Sequence, residues 1–347
     1  MTRRELMAGL AMAFQESKLD AADKLLRKHV DSGYLRGAAL LVREGKTKVV
    51  RGYGRTAATT PFLIASITKP MTVSGVMLMR DRGALSIDDP VQKYIPEFKG
   101  GERDKVLIRH VLTHTSGLPD MLPEDKELRK RHAPLSDFTA AAIKTPLLFT
   151  PGTKVSYQSM GILLASEIVQ RITKKPFPTF MKEEIFLKIG MPSTSFGLGG
   201  RRLEDTAAIQ VPEQTNWDWN SAYWRNLAAP WGGAISTVED IADFLEAFSP
   251  TIKSKLPLPW KPATQTEMLK VQTSGLGSNW GLGWVRQANK LGKGCSSESF
   301  GHSGSTGTLA WHDPKTTRTF VLLTTLPAEQ SNATIIRPVS DIASQAS

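Results

Sequence analysis

The stretch FLIASITKPMTVSGVMLMRDRG, residues 62–83, brings a serine and a lysine one helical turn apart. Ser66 and Lys69 form a Ser-x-x-Lys pair that occurs at this one place in the chain. Apolar residues recur at helical spacing after the pair, and Arg80–Gly83 is a typical helix end. We therefore expect Ser66 at the N-terminus of a largely buried helix, with Lys69 on the same face.

This placement gives both side chains a chemical use. A serine hydroxyl is a poor nucleophile until a base removes its proton. An ammonium group becomes a base once burial, a second cation or the positive end of a helix lowers its pKa. The alternative interpretation of the pair alone is a helix-capping serine followed by a solvated lysine.

The composition is that of an ordinary globular protein. The 347 residues carry a formal net charge of +11, with 40% apolar and 22% charged residues. The basic residues are scattered and no apolar run is long enough for a membrane span, so we expect neither a nucleic-acid partner nor a membrane span. The single cysteine, Cys295, excludes an internal disulfide, and the six histidines show no metal-ligand spacing.

Residues 1–14 have two interpretations. The pair Arg3-Arg4, the apolar run Leu6–Phe14 and the small residues Ala11–Ala13 resemble a short signal peptide. The run is short and Glu5 lies in the charged region, which favours the first turns of an amphipathic helix. We therefore expect a cytoplasmic protein, with an exported one as the alternative.

Strand patterns occur near both ends of the chain. Gly37–Arg43 and Lys48–Tyr53 predict a hairpin. Three later patterns predict strands at Gly283–Arg286, Gly307–His312 and Thr319–Leu326. Helical patterns and loops fill the middle of the chain.

Strands at both ends can form one sheet only if the ends meet. We therefore predict an α+β fold, with an antiparallel sheet and flanking helices built from residues 1–61 and 234–347. Residues 62–233 would form a mainly helical insert that carries Ser66, Lys69 and Tyr157. The functional site is expected where the insert joins the sheet.

Two further segments have chemical potential. Tyr157 is predicted to open a helix, where nearby ammonium groups would lower the pKa of its phenol and let it relay a proton. The alternative is a half-buried packing tyrosine. In His302–Gly304, the glycine allows a close approach of substrate, and the next backbone N–H is a candidate oxyanion donor. The alternative is a glycine-rich entry to a hairpin.

An aromatic loop occupies residues 216–231. Tryptophan is costly to expose in a loop, so we expect its rings either to pack inward or to line an apolar pocket. The candidate pocket residues are Trp217, Trp219, Tyr223 and Trp224.

The three motifs Ser66–Lys69, Tyr157–Ser159 and His302–Gly304, in this order, resemble the penicillin-binding-protein and class C β-lactamase superfamily, including its family VIII carboxylesterases. The resemblance extends from about Leu19 onward. Further stretches that carry it are Leu85–Phe98, Val111–Leu118, Phe149–Gly152, Gly232–Thr237 and Gly281–Trp284.

The resemblance implies a β-lactamase/transpeptidase-like fold and a set of roles. Ser66 would be the nucleophile that forms an acyl-enzyme, and Lys69 and Tyr157 would share the work of the general base. The backbone N–H groups of Ser66 and Ser305 would form the oxyanion hole. No metal or cofactor is expected.

Two positions depart from the lactamase pattern. His302 stands where lactamases usually have lysine, and Ser159 where they usually have asparagine; with Ser303 and Gly304 they would line the substrate site. We therefore expect a serine carboxylesterase for small-molecule esters, with acyltransferase side activity, as a monomer or weak homo-oligomer. The alternatives are a β-lactamase or D-amino-acid peptidase and, in another class, an inactive homologue that binds its ligand.

Overall fold

The computed structural model describes residues 19–254 and 256–345, so both interpretations of residues 1–14 lie outside the described residues. The strands are β1 (Gly37–Glu44), β2 (Thr47–Gly54), β3 (Phe62–Leu63), β4 (Ser195–Phe196), β5 (Ala234–Ser236), β6 (Phe300–Gly304), β7 (Thr308–Asp313) and β8 (Arg318–Thr324). The helices are α1 (19–31), α2 (Thr68–Asp81), α3 (Ile108–Leu112), α4 (Asp125–Lys130), α5 (Leu135–Lys144), α6 (Met160–Thr173), α7 (Phe177–Met181), α8 (Ala222–Leu227), α9 (Val238–Ala247), α10 (Pro262–Leu269), α11 (Ala328–Ser331) and α12 (Arg337–Gln345).

Five antiparallel strands form the main sheet, in the order β2-β1-β8-β7-β6. Strand β1 pairs with β8 from Ala38↔Thr324 to Glu44↔Arg318, which joins distant parts of the chain. Alternate residues of β1 face two different cores: Leu41 packs in one and Leu40 in the other. Both faces of the sheet are therefore covered, with α9 and α12 packed against β8.

Helix α2 runs through the middle of the helical part. All its residues from Thr68 to Met79 are buried, and it packs against α6. Apart from Lys69, these buried residues are apolar or small, which is typical of a central rather than a surface helix. A Cβ at Gly75 would lie 2.7 Å from the sulfur of Met181, so a glycine is needed for this close approach.

A second, three-stranded sheet has the order β3-β5-β4. In this sheet Phe62 pairs with Ser236. The pair joins the start of the predicted helical insert to the segment that follows its end. The architecture confirms the predicted α+β fold with an antiparallel sheet. Within residues 19–254 and 256–345, none of the helices has the length and apolar character that crossing a membrane requires.

One strand prediction is wrong. Gly283–Arg286 contains no strand, because Gly283 has a φ of 77° and only Val285 makes isolated bridges, to Trp280 and Gly301. Strand β6 forms instead at Phe300–Gly304, a segment for which the sequence patterns predict no strand. Two short helices also escape the sequence patterns: α8 lies within the aromatic loop, and α10 begins at Pro262, where a missing N–H costs nothing.

Candidate active site

Ser66 lies in a 3-10 turn, Ala65–Ile67, directly before α2. The preceding residue, Ala65, has a φ of 45°, a left-handed conformation that non-glycine residues seldom adopt. The turn begins where the backbone N–H of Ile64 donates to the carbonyl of Ala234, at 3.0 Å. Ser66 is half-buried, so its hydroxyl is presented at the N-terminal end of a buried helix.

Two buried threonine hydroxyls fasten this turn to the main sheet. Thr306 donates to the carbonyl of Leu63 at 2.7 Å, and Thr308 donates to the carbonyl of Ile64 at 3.1 Å. Both threonines lie in or just before β7 and are fully buried. The position of the serine is therefore coupled to the β6–β7 hairpin.

Gly304, the last residue of β6, lies directly against the same turn. A Cβ at this position would overlap the carbonyl oxygen of Ile64 and come within 3.1 Å of the Ala65 Cβ. The next residue, Ser305, is exposed. The hairpin thus brings the backbone that follows Gly304 beside Ser66, where the sequence predicts an oxyanion donor.

Lys69 contacts the serine directly. Its Nζ lies 3.0 Å from Ser66 Oγ and 3.0 Å from the carbonyl oxygen of Trp231, and the residue is 1% exposed. Burial lowers the pKa of the Lys69 ammonium to about 7, against a smaller opposing effect of the Asp120 carboxylate. A neutral Lys69 can donate to Trp231 and still offer its lone pair to the Ser66 hydroxyl.

Tyr157 completes the group from the segment just before α6. Its hydroxyl lies near enough to the Ser66 side chain for the two to interact, and the Lys69 Nζ lies 4.7 Å from the centroid of its ring. Burial raises the pKa of the Tyr157 phenol above its usual value, the opposite of the predicted lowering. Burial is the largest cause, and the Asp120 carboxylate adds to it, while the Ser66 side chain opposes the rise.

His302 is enclosed rather than open to a substrate. Its Nδ1 donates to the carbonyl of Ser303 at 2.6 Å, and its Nε2 is buried with no hydrogen-bond partner among the described residues. The ring packs 6.1 Å from that of Tyr157 and 5.8 Å from that of Trp280, between centroids. Burial, helped by Lys69, lowers the pKa of His302 to about 3. His302 is therefore a buried, neutral ring beside Tyr157, and Ser303 is exposed. Direct contact of His302 with a substrate stays a prediction.

The Ser159 side chain is also engaged in a hydrogen bond within the protein. Its hydroxyl donates to Asp120 Oδ1 at 2.6 Å, and its backbone N–H donates to the Asp120 carbonyl at 3.3 Å. The exposed Asp120 is absent from the residues that the sequence predicts for the site. Its position, two residues after the Val111–Leu118 stretch, is the one signal that could have pointed to it.

The aromatic loop does not gather its four rings into one pocket. Trp224 is 3% exposed and lies beneath the Arg129 guanidinium, whose carbon is 4.0 Å from the ring centroid, so it packs inward instead of lining a pocket. Trp219 is half-buried against the core, and Trp217 is half-buried. Among the described residues, Tyr223 lines a cavity.

That cavity has a volume of about 840 Å³ and opens beside the loop. Tyr223 stacks on His132, with centroids 4.6 Å apart, and donates its hydroxyl to the Ala133 carbonyl at 2.9 Å. Apolar side chains supply much of the remaining wall: Pro134, Leu135, Ala222 and Leu227. The cavity can therefore accept an apolar group.

Comparison with known proteins agrees with this geometry. Among curated relatives, Protein flp of Staphylococcus aureus (strain N315) is 28% identical over 223 residues, which is 58% of this chain and 45% of flp, so the chain spans about half that relative's length. N-acetylmuramyl-L-alanine amidase of Bacillus subtilis (strain 168) is 26% identical over 364 residues, covering 90% of this chain and 81% of the amidase.

Among solved structures, EstCE1, described as a hydrolase with promiscuous acyltransferase activity, has a TM-score of 0.79 at 18% identity. The superposition covers 96% of this chain and 100% of that one, which shows a shared fold. A family model described as Beta-lactamase matches residues 22–343. The chain therefore belongs to the β-lactamase family, within the serine-hydrolase superfamily.

Proposed function

We propose that this protein is a serine carboxylesterase that hydrolyses small-molecule esters through an acyl-enzyme on Ser66. The observation that carries the proposal is the 3.0 Å contact between Ser66 Oγ and Lys69 Nζ, in a place where burial lowers the pKa of Lys69 to about 7. A neutral amine in contact with a hydroxyl is an organised nucleophile and base.

In the proposed acylation step, Lys69 removes the Ser66 proton as Oγ bonds to the ester carbonyl carbon. The backbone N–H groups of Ser66 and Ser305 stabilise the oxyanion. When the tetrahedral intermediate collapses, the alkoxide leaves with a proton that passes from Lys69 through the Tyr157 hydroxyl. A water molecule then attacks the acyl-enzyme by the reverse proton path and restores Ser66. A second alcohol in place of water would give acyl transfer, the side activity suggested by the likeness to EstCE1.

Two features favour esters over β-lactams. The Ser159 hydroxyl already donates to Asp120, so it offers a substrate amide no donor. The enclosed, neutral His302 offers no charge to a substrate carboxylate. A lost hydrogen bond to a charged group costs about 1.5–3 kcal/mol, roughly one to two orders of magnitude. Esters that have neither a side-chain amide nor a carboxylate lose no such hydrogen bond.

The test compares kcat/KM for a short-chain nitrophenyl ester and a chromogenic cephalosporin on one preparation, with Ser66→Ala as the blank. We expect the ester value to exceed the cephalosporin value by at least about tenfold. A cephalosporin value equal to or above the ester value would replace the esterase with the lactamase alternative. A fluorophosphonate probe that fails to label Ser66 would favour the inactive ligand-binding homologue.

We further propose that the 840 Å³ cavity beside Tyr223 receives the apolar part of the substrate. The cavity is open, and its wall combines apolar side chains and the Tyr223 ring with uncharged polar groups such as Thr215 and Asn216, which suits an acyl chain more than a charged group. Ser303 and Gly304 would line the opposite, sheet side of the site.

A second candidate function rests on Asp120. Its exposed carboxylate accepts from Ser159 and lies close enough to Lys69 to raise that residue's pKa against burial. A substrate ammonium would be attracted to it, as in a D-amino-acid amide. D-alanyl peptides included in the same substrate panel, with wild type and Asp120→Asn, separate this candidate from the esterase.

A further inference from the structure

His114 lies within the Val111–Leu118 stretch, to which the proposed reaction assigns no role. It is fully buried, and its φ of 61° is in the left-handed region that costs most non-glycine residues free energy. A conformation of this kind persists when the surrounding contacts hold it.

His114 accepts two hydrogen bonds, one from each chain neighbour of Tyr157. The backbone N–H of Ser156 donates to the His114 carbonyl at 2.9 Å, and the backbone N–H of Gln158 donates to His114 Nδ1 at 3.2 Å. The imidazole also lies against the Tyr157 ring, with centroids 4.7 Å apart and planes 35° apart. One residue therefore holds both chain neighbours of the tyrosine by hydrogen bonds and contacts the tyrosine through its ring.

The bond from Gln158 also fixes the tautomer of His114. Because Nδ1 accepts, the proton of the neutral imidazole is on Nε2, which has no hydrogen-bond partner among the described residues. Burial lowers the pKa of His114 well below its usual value, so Nδ1 remains an acceptor at neutral pH. The ring meets Trp280 edge-on, with centroids 4.4 Å apart.

The Gln158 side chain ties the same segment to the stretch around His114. Its Nε2 donates to the His110 carbonyl at 3.1 Å, and its Oε1 accepts from the Ser116 hydroxyl. The residues beside Tyr157 are thus bound to one buried turn through side-chain and backbone groups.

We infer that His114 is a positioning residue for Tyr157, which it holds with the phenol hydroxyl at Ser66. The inference rests on the proposed function, because it assumes that Tyr157 relays the proton in the ester reaction. Loss of the Nδ1 acceptor would leave substrate binding in place and slow the proton transfer.

The test uses His114→Leu and His114→Asn, each alone and combined with Tyr157→Phe. Asparagine tolerates a positive φ and places its amide oxygen near the position of Nδ1, whereas leucine has a similar shape and no acceptor. We expect His114→Leu to lower kcat about a hundredfold, as for a misplaced catalytic group, with little change in KM. His114→Asn should recover most of this loss. On the Tyr157→Phe background, His114→Leu should have almost no further effect on kcat.

The matched control is His312→Leu. His312 is also a fully buried histidine with an unpartnered Nε2, but its Nδ1 contacts Thr319 at 3.0 Å and its ring contacts Phe300. It should lower the melting temperature without changing kcat. If His114→Leu yields no folded protein, His114→Gln replaces it, because the longer side chain carries its amide past the Nδ1 position.

An equal loss of kcat from His114→Leu on both backgrounds, or no recovery in His114→Asn, would overturn the inference while leaving the proposed function intact. Full activity in Tyr157→Phe alone would instead refute the proposed proton path, and the inference with it.

Discussion

The base of the proposed site, around Ser66, and the aromatic loop that we propose as its rim are held in different ways. At the base, Lys69 contacts Ser66, and the Thr306 and Thr308 hydroxyls hold the backbone before it, all from buried positions. At the rim, Tyr223 is half-buried, with one stacked ring and one hydrogen bond beside an open cavity. Several elements fix the residues around Ser66, so a substitution there should lower activity strongly. A substitution at the rim should have only a modest effect on activity.

The largest expected effect is at the base. Ser66→Ala should lower kcat by roughly 10⁴-fold or more, as for other covalent nucleophiles, with the fold unchanged by circular dichroism. Cys295→Ala is the control, because burial raises the pKa of the Cys295 thiol to about 12 and leaves almost no thiolate at neutral pH. Activity retained in Ser66→Ala but lost in Cys295→Ala would assign the nucleophile elsewhere.

Gly304→Ala should have the next largest effect. The added methyl group would overlap the Ile64 carbonyl and push the hairpin away from Ser66, which we expect to cost about a hundredfold in kcat. Gly232→Ala is a matched control, because Gly232 also faces the Ala65–Ile67 turn. A Cβ there would lie 3.7 Å from Ala65, at ordinary contact distance. Equal kcat values in the two variants would show that the close approach of Gly304 does not matter.

The lowered pKa of Lys69 should affect two pH profiles, that of kcat and that of stability. Wild-type kcat should rise with pH through about 7 as the site loses its proton, with an apparent pKa that belongs to the coupled Lys69 and Tyr157 groups. In the unfolded chain, a lysine titrates near 10.4, so between about pH 7 and 10 the unfolded state binds more protons and stability rises with pH.

Lys69→Met removes that pH dependence along with the activity. The variant should gain stability relative to wild type most at pH 6, where Lys69 is buried and charged, and the gain should shrink towards pH 10. Thermal unfolding of both proteins across this range measures the difference. A gain that is constant with pH would show that Lys69 titrates normally in the folded protein.

The smallest effect is expected at the rim. Tyr223→Leu should change the ratio of kcat/KM for long and short acyl esters by about tenfold, because it alters one wall of the cavity. The control is Trp224→Leu, which removes a buried ring and should lower stability more than it alters chain preference. Equal losses for all chain lengths in Tyr223→Leu would identify Tyr223 as a packing residue.

The parts of the site that depend on local sequence could be predicted. Ser66 and Lys69 are one turn apart on the chain, so their spacing alone brings them together. Asp120 and His114 could not be predicted, because their bonds to Ser159 and Gln158 join residues 39 and 44 positions apart. No pattern within a single helix or strand encodes such contacts.

The strand patterns at both ends of the chain predicted the main sheet. They did not predict its register or its edge strand, β6. Gly283–Arg286 looks like a strand in composition, yet the positive φ of Gly283 turns the chain there. The direction of the Tyr157 pKa was also out of reach, since it depends on how deeply the phenol is buried and on how near it lies to Asp120. Electrostatics of this kind requires the packed structure.

The pairing of β1 with β8 has a consequence for how the protein folds. The backbone N–H of Gly37 donates to the Thr325 hydroxyl across a sequence separation of 288 residues. During synthesis at about 5–20 residues per second, the apolar strand β1 therefore waits many seconds before its central partner exists. Contacts of such long range slow folding and expose an unpaired strand edge in the interval. Chaperone dependence and sensitivity to growth temperature should follow from this one strand pair.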